Sequence, residues 1–438
     1  MKSLRSLLAV LVVIFGLGMS IIAQEAPAYA ISDVTIHHSD GTITESGTIV
    51  WRNGIIEAIG SGVNIPFDAF KVDLGDSLHI YPGFIDGFTT WGSPRPPTDL
   101  ERLPRPGEPP YDRAGVQPER VPSEMMIDDK DFEAAIKAGF TTAALGFDGN
   151  MLSGKVEIFT LSPKDVKANL FGEEIALHGS FSSAPGGWST GAYPSTQMGV
   201  MAKFRQVMYD AEALKTHMEY HSSNPEMPAP ERSDVLEAMF PLIDKSKPLF
   251  FSVDTKENIE RMFSYQDEFG FDIVIVSGKE AYARADELKE RNIPVLASVD
   301  ITEAPEWHKA EPDTSKEAEE LSEEEQHFRD KRMAAWKDEV MNIKMLMDAG
   351  VQVGYSSFDM ALKDLPKKVT LLVEEGGLTE EDLVKLMTTN TAQILGIDDS
   401  FGELKVGMNA SFTVFDKPMM ETKAKSVSSV SNGNIVEF

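Results

Sequence analysis

From Tyr29 to Val72 apolar and polar residues alternate, with Asp40-Gly41 and Asn53-Gly54 as turn signals, which predicts short antiparallel strands joined by hairpins. After Tyr81 the period changes. Apolar runs at Ala143 to Phe147, Glu174 to His178, Leu249 to Val253, Ile273 to Val276, Val295 to Val299 and Val351 to Tyr355 are separated by helical stretches. Such alternation predicts parallel strands with crossover helices, an α/β barrel or a doubly wound sheet, and the number of units favours the barrel. Past Phe401 short alternating segments return at Ser411 to Phe415 and Asn434 to Phe438, with an Asn432-Gly433 turn. The expected architecture is an α/β fold: a (β/α)8 TIM-like barrel with a small β-sandwich domain formed by both chain ends. The expected boundaries are 1–23 for a signal peptide, 24–80 and 399–438 for the two parts of the sandwich, and 81–398 for the barrel.

Two stretches inside the barrel break its rhythm. Pro94 to Pro122 is rich in proline and arginine without periodicity, an insertion (94–122) suited to a lid. In the second insertion, 303–330, acids crowd around Glu317, Glu319, Glu320, Glu323, Glu324 and Glu325, most simply a solvated helical or disordered segment. At the start of the chain, Lys2 and Arg5 precede an apolar run from Leu7 to Ile22 and then small residues, the pattern of a secretory signal peptide. Cleavage after Ala23 is preferred to cleavage after Ala30, because trimming to Ala30 would cut into the first strand and expose an edge. A retained membrane anchor is the alternative reading of the same run.

The full chain of 438 residues is long enough for two to three domains or one large barrel with an appendage. It contains no cysteine, which excludes disulfides, thiolate metal ligands and a catalytic thiol. An exported chain without cysteine suits a bacterial periplasm or secretion without an oxidising folding step. The net charge of −29 repels phosphate backbones and anionic bilayers, so neither nucleic acid nor a membrane surface is an expected partner.

Four motifs in order give the chain a resemblance. Tyr81-Pro82-Gly83-Phe84-Ile85-Asp86 opens the barrel, Ala138-Gly139-Phe140-Thr141-Thr142 leads into its second strand, and Asn390-Thr391-Ala392-Gln393-Ile394-Leu395-Gly396 forms a late helix. Gly402-Glu403-Leu404-Lys405-Val406-Gly407-Met408-Asn409-Ala410-Ser411-Phe412 then returns to the β domain. Together they resemble the amidohydrolase superfamily, in particular its imidazolonepropionase-like branch, with Thr391 where proline is usual and Ser411 where aspartate is usual. The resemblance implies hydrolysis of carbon–nitrogen bonds in amides, cyclic amides or peptides by one or two divalent metals, zinc or another, at the C-terminal mouth of the barrel. It implies a His-x-His pair after the first motif, histidines ending the fifth and sixth strands, and an aspartate ending the eighth. At those positions this sequence has Phe88, Thr90, Ser252, Ser277 and Ser357. A phenyl ring cannot ligate a metal and neutral hydroxyls are poor substitutes for imidazole on zinc, so no metal ligand and no cofactor are expected.

What remains for chemistry is sparse. His178 ends an apolar strand and is followed by Gly179 and Ser180, which places it at a strand's C-terminal end as a candidate general base. Asp254 and Asp359 lie two residues past Ser252 and Ser357 as candidate loop carboxylates, and Trp188 and Tyr193 are candidate stacking residues for a ligand. His217 and His221 share a helix face but lack a third ligand. The leading expectation is an exported, catalytically inactive member of the family that binds a small molecule or partners an active paralogue, as a homo- or hetero-oligomer. The alternative is a working C–N hydrolase with a relocated site built from His178, Asp254 and Asp359.

Overall fold

The computed structural model describes residues 26–94, 96–97, 99–126, 130–163, 166–309, 321–421 and 423–438. The expected signal peptide and the acids Glu317, Glu319 and Glu320 lie outside the described residues. The chain opens with β1 (Tyr29–His37), β2 (Ile43–Arg52), β3 (Ile55–Ser61), β4 (Phe70–Lys71) and β5 (His79–Pro82). Asn53 and Gly54, at φ of 52° and 80°, give the β2–β3 hairpin the left-handed pair that its two-residue turn requires. Ala30 is buried in β1 opposite Val50.

A second series follows: β6 (Phe84–Thr89), β7 (Phe140–Leu145), β8 (Leu152–Thr160), β9 (Leu170–Ser180), β10 (Leu249–Val253), β11 (Ile273–Ser277), β12 (Val295–Ser298) and β13 (Val353–Ser356). Among them run helices α1 (Lys130–Lys137), α2 (Gln197–Ser223), α3 (Lys256–Phe269), α4 (Ala285–Glu290) and α5 (Glu323–Ala349). After β13 come α6 (Leu365–Glu374), α7 (Glu380–Met387) and α8 (Thr389–Leu395), and the chain ends in β14 (Phe412–Phe415), β15 (Ser426–Ser431) and β16 (Asn434–Glu437). Local chemistry sets the helix ends. Thr255 caps α3 through Asn258 N, and Gly270 ends it at φ 70°. Glu323, Glu324 and Glu325 form the first turn of α5 behind the Ser322 cap, where acids favour the positive helix end.

The strands form two sheets in a mixed α/β fold. The first, in the order β16-β15-β14-β5-β1-β2-β3 with β4 beside β1, joins strands from both ends of the chain. Its strands are linked in one continuous hydrogen-bonded order, with Ile36, Trp51, Ile80, Phe412 and Val414 in its core.

The second sheet runs in sequence order from β6 to β13 and departs from the expected (β/α)8 barrel in two ways. Strand β8 lies antiparallel between β7 and β9, so the alternation of parallel strand and helix is interrupted by a β-meander. No ladder pairs β6 with β13 among the described residues. Side chains join them instead: Ser356 Oγ donates to Phe88 O at 2.7 Å, and Ser357 N donates to Asp86 Oδ1 at 3.1 Å. The 94–122 segment is not structureless throughout, since Gln117 N donates to Leu152 O and Leu152 N donates to Gly115 O, pinning its second half to β8.

Candidate functional site at the strand ends

Phe88, near the end of β6, is wholly buried, and its ring lies 4.4 Å from the His178 ring in a stacked arrangement. Phe358 and Phe250 flank it at 5.6 and 6.4 Å. The chain just past β7 gives way to admit the ring: a Cβ on Gly146 would come within 2.5 Å of Phe88 Cε2. An aromatic cluster therefore surrounds the position at which the resemblance implies the first ligand.

The other four positions offer hydroxyls. Thr90 lines an open cleft, and Ser357 is buried with its hydroxyl 3.2 Å from Thr89 Oγ1. Ser277 is buried at the end of β11 in a left-handed conformation, φ 77°, a strained state for a residue other than glycine. Ser252 is half-buried and bonds to His178. Among the described residues no group of three or more His, Asp or Glu side chains is arranged to hold a metal ion. One phenyl ring and four neutral hydroxyls are not a donor set for zinc, so the residues present do not fit the metal implied by the resemblance.

His178 is wholly buried on β9 and held from both sides. Ser153 Oγ lies 2.6 Å from its Nδ1 and 2.8 Å from the Phe147 carbonyl, while Ser252 Oγ lies 2.7 Å from its Nε2. Proton accounting assigns the tautomer. The single Ser153 proton goes to the carbonyl, which accepts only, so Nδ1 carries hydrogen and donates to Ser153, and Nε2 accepts from Ser252. Burial pushes the imidazole pKa down to about 3, and the ring is neutral at physiological pH.

Asp86 is the second buried polar centre. Its Oδ1 accepts from the backbone N–H groups of Phe88 and Ser357, and its Oδ2 has no partner. Burial pushes its pKa up to about 7, against the opposing pull of those hydrogen bonds. The Tyr355 hydroxyl, also buried and unpartnered, is driven well above its usual value by burial and by the Asp86 charge.

Beside these groups opens a cleft of about 1030 Å³ whose lining includes Thr90, Trp91, Lys130, Asp148, Ser357 and Asp359. Asp359 reaches the surface, at φ 63°. Partial enclosure raises its pKa first, followed by repulsion from Asp148, Asp254 and Asp300, with Lys279 opposing. Asp254 serves a turn, its carbonyl accepting from Glu280 N at 2.8 Å. The two aspartates thus neighbour each other electrostatically, whereas the hydrogen bonds of His178 go to two serines. The Tyr193 hydroxyl donates to Gly199 O and packs its own loop. The backbone of Trp188 lies in a short helix, Gly187–Thr190, and its side chain is outside the description. His217 and His221 sit on exposed turns of α2, each against a backbone carbonyl, of Pro228 and of Met227. Sequence reasoning missed Ser153 and Asp86. The first lies on the unread strand β8, and the second was visible as part of a motif but not as a buried titrating group.

Residues 272–437, from β11 through β16, match the amidohydrolase family. The match takes in less than half of the chain. The fold extends the likeness over nearly the whole length. An amidohydrolase from Thermotoga maritima MSB8 is similar with a TM-score of 0.74 at 20% identity, over 93% of this chain and 99% of that one. A prolidase complexed with N-methylphosphonate-L-proline gives 0.54 at 15% identity over 94% and 99%. A triazine hydrolase from Arthobacter aurescens gives 0.50 at 13% over 93% and 94%. At these identities the shared property is the fold alone. No curated protein matches the sequence.

Proposed function

We propose that the chain as a whole is an exported member of the amidohydrolase superfamily, of its imidazolonepropionase-like branch, that has abandoned the family's metal-dependent hydrolysis. It acts as a ligand-binding or partner subunit, with a small molecule held in the cleft beside Trp91 and Asp359 or an active paralogue alongside. The observation that carries this reading is Phe88: a buried ring stacked on His178 stands where the first ligand pair belongs. Hydroxyls at Thr90, Ser252, Ser277 and Ser357 support it, because water activation needs a cation held by charged or imidazole ligands. The eight-stranded sheet is read as the family's barrel, with β6 and β13 joined by side chains. Export rests on Lys2, Arg5 and the Leu7 to Ile22 run; cleavage after Ala23 is favoured because Ala30 is a buried member of β1.

The test is metal analysis of protein purified without chelators, with parallel assays on amides, cyclic amides and dipeptides. The expected result is substoichiometric zinc and manganese and no C–N cleavage. Stoichiometric metal accompanied by hydrolysis would overturn the reading.

A further inference from the structure

The hydrogen-bonded series Phe147 carbonyl, Ser153, His178, Ser252 has a direction. It begins at two wholly buried residues, Ser153 and His178, and ends at the hydroxyl of Ser252, a half-buried residue near the C-terminal end of β10. The strand ends are where this class of fold builds its sites. We propose that Ser252 is a nucleophile activated by His178, with Ser153 as the positioning residue, forming a serine-type acyl-transfer site that takes uncharged activated esters and phosphonates.

Three observations support it. The base lies 2.7 Å from the hydroxyl, within the range for proton transfer to a general base. The tautomer is the required one: Nδ1–H is committed to Ser153, whose own proton is fixed on the Phe147 carbonyl, so the lone pair of Nε2 faces Ser252. The Phe88 ring face lies 4.4 Å from the imidazole and favours the cation that forms when the ring accepts a proton, a role for which a triad ordinarily uses a carboxylate. The low basicity that burial confers on His178 makes the step slow, which fits activated substrates and not ordinary amides.

The chemistry balances with water as the second reactant. Ser252 Oγ bonds to the acyl carbon as its proton moves to Nε2. The ester C–O bond breaks, and the departing alkoxide takes that proton and leaves as an alcohol. Water then attacks the acyl carbon and gives a proton to Nε2, the bond from the acyl carbon to Ser252 Oγ breaks, Oγ takes the proton from Nε2, and the acid leaves. With a fluorophosphonate the P–O bond forms, the P–F bond breaks, and fluoride leaves with the proton, trapping the adduct.

The experiment is labelling of the full chain with an uncharged alkyl fluorophosphonate, with the adduct located by peptide mass spectrometry. The expected result is one adduct on Ser252, absent in Ser252→Ala and from urea-unfolded protein. In His178→Gln, with its fold checked by circular dichroism, formation is about a hundredfold slower. Ser153→Ala slows labelling and Ser153→Thr, which keeps the hydroxyl, restores it. The wild-type rate is flat from about pH 5 to 8, where an ordinary histidine would show a step near 6.5. No adduct on Ser252, or an adduct formed equally fast in His178→Gln, overturns the proposal. The metal analysis is a separate readout: a metal-free chain that does not label sinks this inference alone.

Discussion

Phe88 is the side chain around which the buried aromatic cluster is packed. Its ring contacts His178, Phe250 and Phe358 and occupies space left open by Gly146. Truncation to alanine removes a fully buried ring from a close-packed cluster, so Phe88→Ala is expected to lower unfolding free energy by about 3–5 kcal/mol, measured by urea denaturation. A loss below about 1 kcal/mol would mean that the cluster collapses around the gap or that the ring contributes little packing. That a phenylalanine follows the first motif was legible in the sequence at this scale; the packing around it was not. Nor was the bonding of His178, because it depends on Ser153, a residue with no sequence signal of its own.

At the level of elements, the seam between β6 and β13 is the feature with a pH signature. The two strands share no ladder, and Asp86 Oδ1 accepts N–H groups from both sides of the seam. Its pKa rises on folding from the ordinary 3.8 to about 7. The folded chain therefore holds a proton that the unfolded chain has released. The stabilisation linked to this proton is complete below about pH 4 and is lost as pH climbs through 7, a change on the order of 4 kcal/mol. Asp86→Asn keeps an oxygen for the two N–H groups and is expected to flatten that part of the curve, measured as urea midpoints from pH 4 to 8. An unchanged slope in the variant would assign it to another group. Strand β8 illustrates why the sequence reading fell short here. Gly154, Lys155 and Glu157 interrupt its apolar run, and their compensation is tertiary: Lys155 pairs with Glu174 at 2.6 Å, and Glu157 accepts from Ser123 N at 2.7 Å.

For the whole molecule, the dependence of one sheet on both chain ends makes the two sheets a mechanical unit. Strand β14 lies against β5, Trp51 Nε1 donates to Gly433 O, and Ser431 Oγ donates to Thr141 O in the second sheet. Deleting 426–438 removes β15 and β16 with the Trp51–Gly433 and Ser431–Thr141 bonds, and is expected to lower the melting temperature of the entire protein in a single transition seen by calorimetry. Two resolved transitions, with the upper one unmoved, would show that the sheets unfold independently. The hairpins of the first sheet were readable from Asn53-Gly54 and Asn432-Gly433, whereas the placement of β5 between β1 and β14 was not, since no local pattern encodes a partner more than 300 residues away. That wiring has a consequence for biogenesis. A nascent chain emerging in order cannot give the Trp51 indole its carbonyl acceptor until Gly433 is made, so the first sheet is completed late.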